Sequence, residues 1–462
     1  MPTPSKGPLE GLKVLDLTRV LVGPFATMLL GDLGAEVIKV ERPGEGDESR
    51  HIEPFQAGES HYFIAINRNK MGIAVDMKQP AGRDVLIDLA RRSDVFLENF
   101  RPGVAKRLGL DYETLREINP RLVYCSISAF GQTGPYASRS ALDIAIQAMS
   151  GVMSITGEPD GPPTRMGLPM ADLCGGLYAA LGVLSGVYER ERTGQGQFVD
   201  FSMLDGMVGM LMYMATRVFM TGEDAPKIGT GHYGIVPYGA YPTRDGHLVI
   251  ANIGEMFWPK ICAAIGRPEL AADARYDTNR KRVERRAEVD GLLNQALAER
   301  TVAEWDAIFE RHDVPHAPIL EVSEVLAHPQ VLARGMVTEF EHPRLGRFPA
   351  VGRAIRFPNH EGARMKAPPL LGEDDEKVLG ELLGYSPERI AELRRAGVIG
   401  DASGAGPVTT APVKTSGSAC GQECTIRTSA RAVPLLRRHT ARTTHPSAAP
   451  PRTRVTTPDP AT

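Results

Sequence analysis

Leu12-Lys13-Val14-Leu15-Asp16-Leu17 is the stretch whose reading decides the fold. Its apolar run reads as a buried strand. A turn at Gly23-Pro24 follows, then a helix through Leu33, with Pro24 suited to the first helical position. Residues 35–40 read as a second strand, ending in Glu41-Arg42-Pro43. Outward from this unit the pattern repeats. Strands are expected at 72–76, 94–98 and 122–126, with helices at 81–92 and 112–117. Strands alternating with helices predict an α/β protein: a mainly parallel sheet with helices on both faces. Two long apolar helices are expected next, at 173–190 and 205–220, the second with five methionines from Met207 to Met220. Apolar nearly all round, they suit a core or a subunit interface.

The chain has 462 residues, enough for two domains. Its composition is globular, 42% hydrophobic and 24% charged, and a net charge of −3 argues against nucleic acid as the main partner. The pattern changes near Gly222. Residues 225–330 read as a smaller α/β unit, with a hairpin around Arg244-Asp245-Gly246 and three helical stretches, and 331–400 regain strand and helix signals. From Asp401 the chain is rich in Ala, Ser, Thr, Pro and Arg with no hydrophobic period, which predicts a disordered tail over 401–462. Its eight basic and three acidic residues leave the body at −8. The five cysteines show no metal-ligand pairing, and their odd count suits a reducing compartment. No signal pattern opens the chain, and the run near Met203 is interrupted by Asp205 and Arg217. The expectation is a cytoplasmic protein with no membrane partner.

Several chemistries lack their motifs. The turn after Leu17 is Thr18-Arg19-Val20-Leu21-Val22-Gly23-Pro24, not the G-x-G-x-x-G of dinucleotide binding. His312 and His316 are separated by Pro315, which disfavours a shared helical face for a metal. There is no nucleophile elbow and no P-loop. What remains are cations after the expected strands, Arg42, Lys78, Arg101, Lys106 and Arg107, where open α/β sheets bind ligands. A phosphorylated, nucleotide-like ligand fits them. Met170-Ala171-Asp172-Leu173-Cys174-Gly175-Gly176 adds an acid at the mouth of an apolar helix. Helix-start amides would keep Asp172 ionised, and the glycines would admit a close substrate.

Leu15-Asp16-Leu17-Thr18-Arg19-Val20, Gly31-Asp32-Leu33-Gly34-Ala35-Glu36-Val37-Ile38-Lys39-Val40-Glu41, Asn69-Lys70, Glu98-Asn99-Phe100-Arg101-Pro102-Gly103, Ala129-Phe130-Gly131-Gln132-Thr133-Gly134-Pro135 and Arg192-Thr193-Gly194-Gln195-Gly196-Gln197 recur in family order, followed by Val236-Pro237-Tyr238 and Pro368-Pro369-Leu370-Leu371-Gly372-Glu373. Through these segments the chain resembles the class III coenzyme A transferases, a family that includes formyl-CoA:oxalate CoA-transferase, carnitine CoA-transferase and α-methylacyl-CoA racemase.

The resemblance implies a Rossmann-like large CoA-binding domain (1–224), a small α/β domain (225–330), a C-terminal segment returning to the large domain (331–400), and a homodimer of interlocked chains. It places the catalytic aspartate on Asp172 and the CoA contacts on Leu21, Val22, Arg42, Val75, Lys78, Asn99, Phe100 and Arg107. Leu21 and Val22 replace a polar-small pair of the oxalate enzyme and would contact CoA through backbone. An acidic family position falls on Asp143.

The implied activity moves CoA from an acyl-CoA, succinyl-CoA as a plausible donor, to a carboxylic acid through aspartyl anhydride and aspartyl-CoA thioester intermediates. CoA is then a substrate, and neither metal nor cofactor is called for. Racemisation is the alternative, but the racemases carry a histidine where this chain has Leu142. A non-catalytic acyl-CoA-binding protein is the other. The region matching the oxalate enzymes' glycine-rich flap, 229–238, is short, which points away from oxalate. Arg165 and His232 are candidates to pair with the second carboxylate of a short dicarboxylic acid.

Overall fold

The structure is a computed structural model that describes residues 7–360 and 365–400. The expected tail, with Cys420 and Cys424, lies outside the described residues.

The apolar runs form a sheet. β1 (Lys13–Asp16), β2 (Glu36–Glu41), β5 (Lys70–Ala74), β6 (Val95–Glu98), β7 (Val123–Ser128) and β8 (Phe198–Ser202) are all parallel, in the order β5-β2-β1-β6-β7-β8. A short hairpin, β3 (Phe55–Gln56) and β4 (Glu59–Ser60), interrupts the alternation.

Alternate residues point to opposite faces, so the sheet closes two cores. On one face Leu15, Ile38, Ile73 and Phe96 meet α3 (Pro80–Arg91), α5 (Tyr112–Ile118) and residues near the chain's described end. On the other, Val14, Val37 and Leu97 meet α1 (Val22–Asp32) and α8 (Met170–Thr193). Each such side chain contributes about 1.5–3 kcal/mol by leaving water. This unit also holds the shorter helices α2 (His61–Ile66), α4 (Val104–Leu108), α6 (Asp143–Met149) and α7 (Val152–Ile155).

Three expectations are corrected. Pro24 is the third residue of α1, not the first. The strand expected at 72–76 begins two residues earlier, at Lys70. The helix expected over 205–220 is broken into α9 (Met203–Met210) and α10 (Tyr213–Thr221), with Met212 between them at φ 42°.

Nor is α10 a core helix. It has no buried residue, and Phe219 is 86% exposed. Leu177, Leu181 and Tyr188 on α8 are also exposed, so this chain alone leaves an apolar face uncovered. α8 is long and apolar enough to cross a membrane, yet it packs on α1, α9, β7 and β8 as a core helix does.

Residues 236–314 close a third core around Tyr241, Leu248, Trp258 and Phe309. β9 (Tyr238–Pro242) and β10 (His247–Ala251) form the expected hairpin, and β11 (His316–Pro318) joins it antiparallel. This region holds more helical stretches than the three expected, among them Phe257–Ala264, Asn279–Glu284, Arg286–Leu297 and Val302–Arg311.

After the hairpin of β12 (Val337–His342) and β13 (Gly346–Val351), the chain reaches the edge of the large sheet. Asp374 and Asp375 accept the outward N–H groups of Gly72 and Ala74 at 2.9 and 2.8 Å, and Gly400 donates to the Ala74 carbonyl. An edge strand that would otherwise template pairing is thereby covered.

Burial carries the Asp375 carboxyl from 3.8 up to about 7, and its Oδ2 has no partner among the described residues. A folded-state pKa above the unfolded one favours the neutral acid, so stability is lost as pH rises from about 4 to about 7. Asp375→Asn keeps the acceptor for Ala74 without the ionisation. Its urea midpoint should fall less than wild type's between pH 5 and pH 8, and equal falls would refute this account.

Candidate active site

Parallel strands deliver their loops to one end of the sheet, where ligands bind. There the loops after β1, β2, β5 and β6 surround a cleft of about 210 Å³. Val40, Val75 and Phe100 give it an apolar lining, and Arg19, Arg42 and Lys78 bring cations to it. Arg42 pairs with Glu45, and Arg19 with Glu48 at 2.7 Å. Such exposed pairs are worth about 0–1 kcal/mol, so an incoming phosphate can exchange with them.

Of the eight residues expected at a CoA site, Arg42, Val75, Lys78 and Phe100 meet in this cleft. Arg107 is exposed on α4, whose Val104 and Leu108 line the cleft. Leu21 and Val22 are buried at the start of α1 and do not line it. Asn99 also stands back, its side chain bound to the Arg19 peptide group. Arg19 was missed, although a cation one loop beyond a strand was the signal used for Arg42.

Asp172 sits in the first turn of α8, but not as expected. Pro169 at the N-cap has no side-chain acceptor to offer. Asp143, from the start of α6, takes that role: its Oδ1 accepts from the N–H of Ala171 at 2.8 Å and of Asp172 at 3.4 Å. Its Oδ2 accepts from Gln147, whose Oε1 accepts from Met166 N–H.

The helix-start amides therefore serve Asp143. The Asp172 carboxyl accepts no hydrogen bond among the described residues, and burial, followed by the Asp143 charge, pushes its pKa up to about 7. The expectation of a fully ionised, amide-held Asp172 is corrected accordingly. Tyr62, near the start of α2, lies close enough that the charges of Asp172 and Asp143 add to burial in raising its phenol. No motif flagged it.

The glycines behind Asp172 also have another use. A Cβ on Gly176 would lie 2.6 Å from Phe25 and 2.9 Å from the Val22 carbonyl, and one on Gly175 would lie 2.8 Å from the Val22 side chain. They admit α1 rather than a substrate, and so fix the start of α1 against the turn that carries Asp172.

Arg165 is exposed on the loop before α8, with no ion pair among the described residues. His232 stacks on Tyr233 at 4.9 Å, and its Nδ1 accepts from Gly234 N–H. Burial, followed by the Arg286 charge, lowers its pKa. Leu142, just before α6, is 72% exposed and brings no acid or base. Among the described residues no cluster of three or more His, Cys, Asp or Glu is placed to hold a metal ion.

The CoA-transferase family III profile matches residues 9–375, and the chain belongs to that family. It is an enzyme that transfers CoA. Succinyl-CoA:glutarate CoA-transferase of Homo sapiens is 43% identical over 393 residues, covering 85% of this chain and 90% of that one. Acetyl-CoA:oxalate CoA-transferase of Acetobacter aceti is 43% identical over 337 residues, covering 73% and 87%. Among solved structures, a CAIB/BAIF family protein from Brucella suis superposes with a TM-score of 0.75 at 38% identity, covering 82% of this chain and 100% of that one.

Proposed function

We propose that this enzyme moves CoA from succinyl-CoA to a short dicarboxylate, with Asp172 as the nucleophile. The substrate reading leans on the 43% identity to a succinyl-CoA:glutarate CoA-transferase. The observation that carries the mechanism is the half-buried Asp172 carboxyl at the head of α8, free of hydrogen-bond partners among the described residues.

Its ionised oxygen attacks the thioester carbonyl, the C–S bond breaks, and CoA thiolate leaves with the bonding pair. The thiolate then attacks the aspartyl carbonyl of the resulting anhydride and releases the donor carboxylate. The acceptor carboxylate attacks the carbonyl of this aspartyl-CoA thioester and expels the thiolate, leaving an aspartyl–acceptor anhydride. The thiolate then attacks the acceptor's acyl carbon, and the Asp172 carboxylate leaves, regenerated. Each difficult exchange is split into easier acyl transfers. The energy of the thioester bond passes from acid to acid, so the chemistry requires neither a metal nor a redox cofactor.

Arg42 and Lys78 neutralise CoA phosphates, while Val75 and Phe100 contact its base. Leu21 and Val22 meet the pantetheine arm through backbone, and Arg165 takes the acceptor's second carboxylate. A second copy of the chain covers the apolar faces of α8 and α10, giving a cytoplasmic homodimer of interlocked chains.

The test is mass spectrometry of CoA esters after incubation in deuterated buffer with succinyl-CoA, a 2-methylacyl-CoA, and a panel of acids including glutarate and oxalate. A new dicarboxylyl-CoA without α-deuterium is expected. Deuterium at the α-carbon with no new ester would establish racemisation instead, and no change in any ester would leave only binding.

A further inference from the structure

We infer that Asn99, Lys39 and Asp47 are positioning residues: they lock the turn between β1 and α1 so that Arg19 faces the CoA cleft. The inference rests on the cleft reading proposed above.

The turn covers residues 18–21, and a link between a strand and a helix needs nothing elaborate. Here, however, Val20 has φ 66°, a left-handed conformation that a β-branched residue adopts only under constraint. Side chains from neighbouring segments supply that constraint, one peptide group at a time. Asp16 Oδ1 accepts from Thr18 N–H at 2.9 Å, and Lys39 Nζ donates to the Thr18 carbonyl at 3.0 Å. Asn99 takes both sides of the next residue: its Oδ1 accepts from Arg19 N–H at 2.9 Å, and its Nδ2 donates to the Arg19 carbonyl at 2.8 Å. Asp47 Oδ1 accepts from Val20 N–H at 3.1 Å.

Lys39 and Asp47 are themselves an ion pair at 2.8 Å with both side chains fully buried. Asp47 is further held by Ser49, whose N–H and hydroxyl both donate to Oδ1 at 2.8 Å. A buried pair with its remaining hydrogen bonds satisfied favours one geometry over others rather than adding much stability.

The geometry selected is functional in its placement. Lys39 lies on β2, Asp47 follows the loop that carries Arg42, and Asn99 precedes Phe100. These groups join three walls of the cleft to the turn that bears Arg19. The Arg19 guanidinium ends 5.6 Å from the centre of the Phe100 ring. Asn99 thus acts through Arg19, where the family resemblance implies a direct CoA contact.

The test measures calorimetric affinity for free CoA, KM for acyl-CoA and for the acceptor acid, and thermal melting. The variants are Asn99→Ala, Arg19→Ala, their double, and Lys39→Met/Asp47→Asn, which removes both buried charges together and leaves neither unpaired. Arg42→Ala controls for the cleft.

Arg19→Ala and a folded Asn99→Ala should each weaken CoA and raise the acyl-CoA KM about tenfold, leaving the acceptor KM unchanged. The double variant should bind no more weakly than Arg19→Ala alone, because both act through one contact. The Lys39→Met/Asp47→Asn protein should show the same selective loss.

Losses that multiply in the Asn99/Arg19 double would make Asn99 a direct contact and overturn the inference. So would a folded Asn99→Ala with wild-type affinity when Arg42→Ala has lost it. Wild-type affinity in Arg42→Ala as well would overturn the cleft reading together with the inference.

Discussion

Asp172→Asn should abolish transfer, lowering kcat by at least about 10³-fold, the scale expected when the nucleophile of a covalent mechanism is removed. Affinity for free CoA stays at the wild-type value, because the cleft is built by loops after β1, β2, β5 and β6 and does not include Asp172. Intact-mass analysis gives an independent readout: wild type incubated with acyl-CoA should gain a covalent adduct, and the variant none.

The same substitution should raise stability. Burial and Asp143 lift the Asp172 carboxyl from 3.8 to about 7. Unfolding lets it ionise more easily, so wild type loses stability as pH climbs from about 4 to about 7, whereas the amide carries no such penalty. Asp172→Asn should therefore melt above wild type near pH 8 and together with it near pH 4. Loss of activity with a gain in stability marks a group held in an unfavourable state for its chemistry. Turnover retained by purified Asp172→Asn would end the assignment of Asp172 as nucleophile.

The inner strands β1, β2, β6 and β7 of the large sheet were readable because they are buried on both faces and so spell nearly continuous apolar runs, as in Val14-Leu15 and Val37-Ile38. β8 was not. Phe198-Val199-Asp200-Phe201-Ser202 lies at the sheet edge, partly exposed, with Asp200 accepting from Gln132 N–H. The break at Met212 was equally hidden, since Leu211-Met212-Tyr213 contains neither glycine nor proline. In the site, Val75 came only with the family resemblance, whereas Arg42 and Lys78 were legible because a residue just past a parallel strand has few places to go. What Asn99 and the two glycines do was not, because their partners are set by tertiary approach: Asn99 reaches 80 residues back to Arg19, and Gly176 meets α1. The electrostatics of Asp172 were misread for the same reason, since the acid that takes its helix amides lies 29 residues upstream.

Asp143 carries two effects that substitution can separate. It caps α8, and its charge raises the pKa of Asp172. Asparagine caps a helix about as well as aspartate, so Asp143→Asn keeps the acceptor for Ala171 N–H while removing the charge and, with it, the acceptor for Gln147. Asp172 then ionises at lower pH, and the acid limb of kcat/KM for acyl-CoA moves down from about 7. The limb does not return to 3.8, because burial is the larger cause of the shift and is untouched. Asp143→Ala removes both functions. Its limb should move in the same direction, but with two amides left without their acceptor the fold should also lose about 0.5–2 kcal/mol, read from denaturant midpoints. A kcat/KM profile that stays in place for both variants would show that Asp172 does not sense Asp143. A profile that moves only in the alanine variant would trace the shift to the displaced helix start rather than to charge.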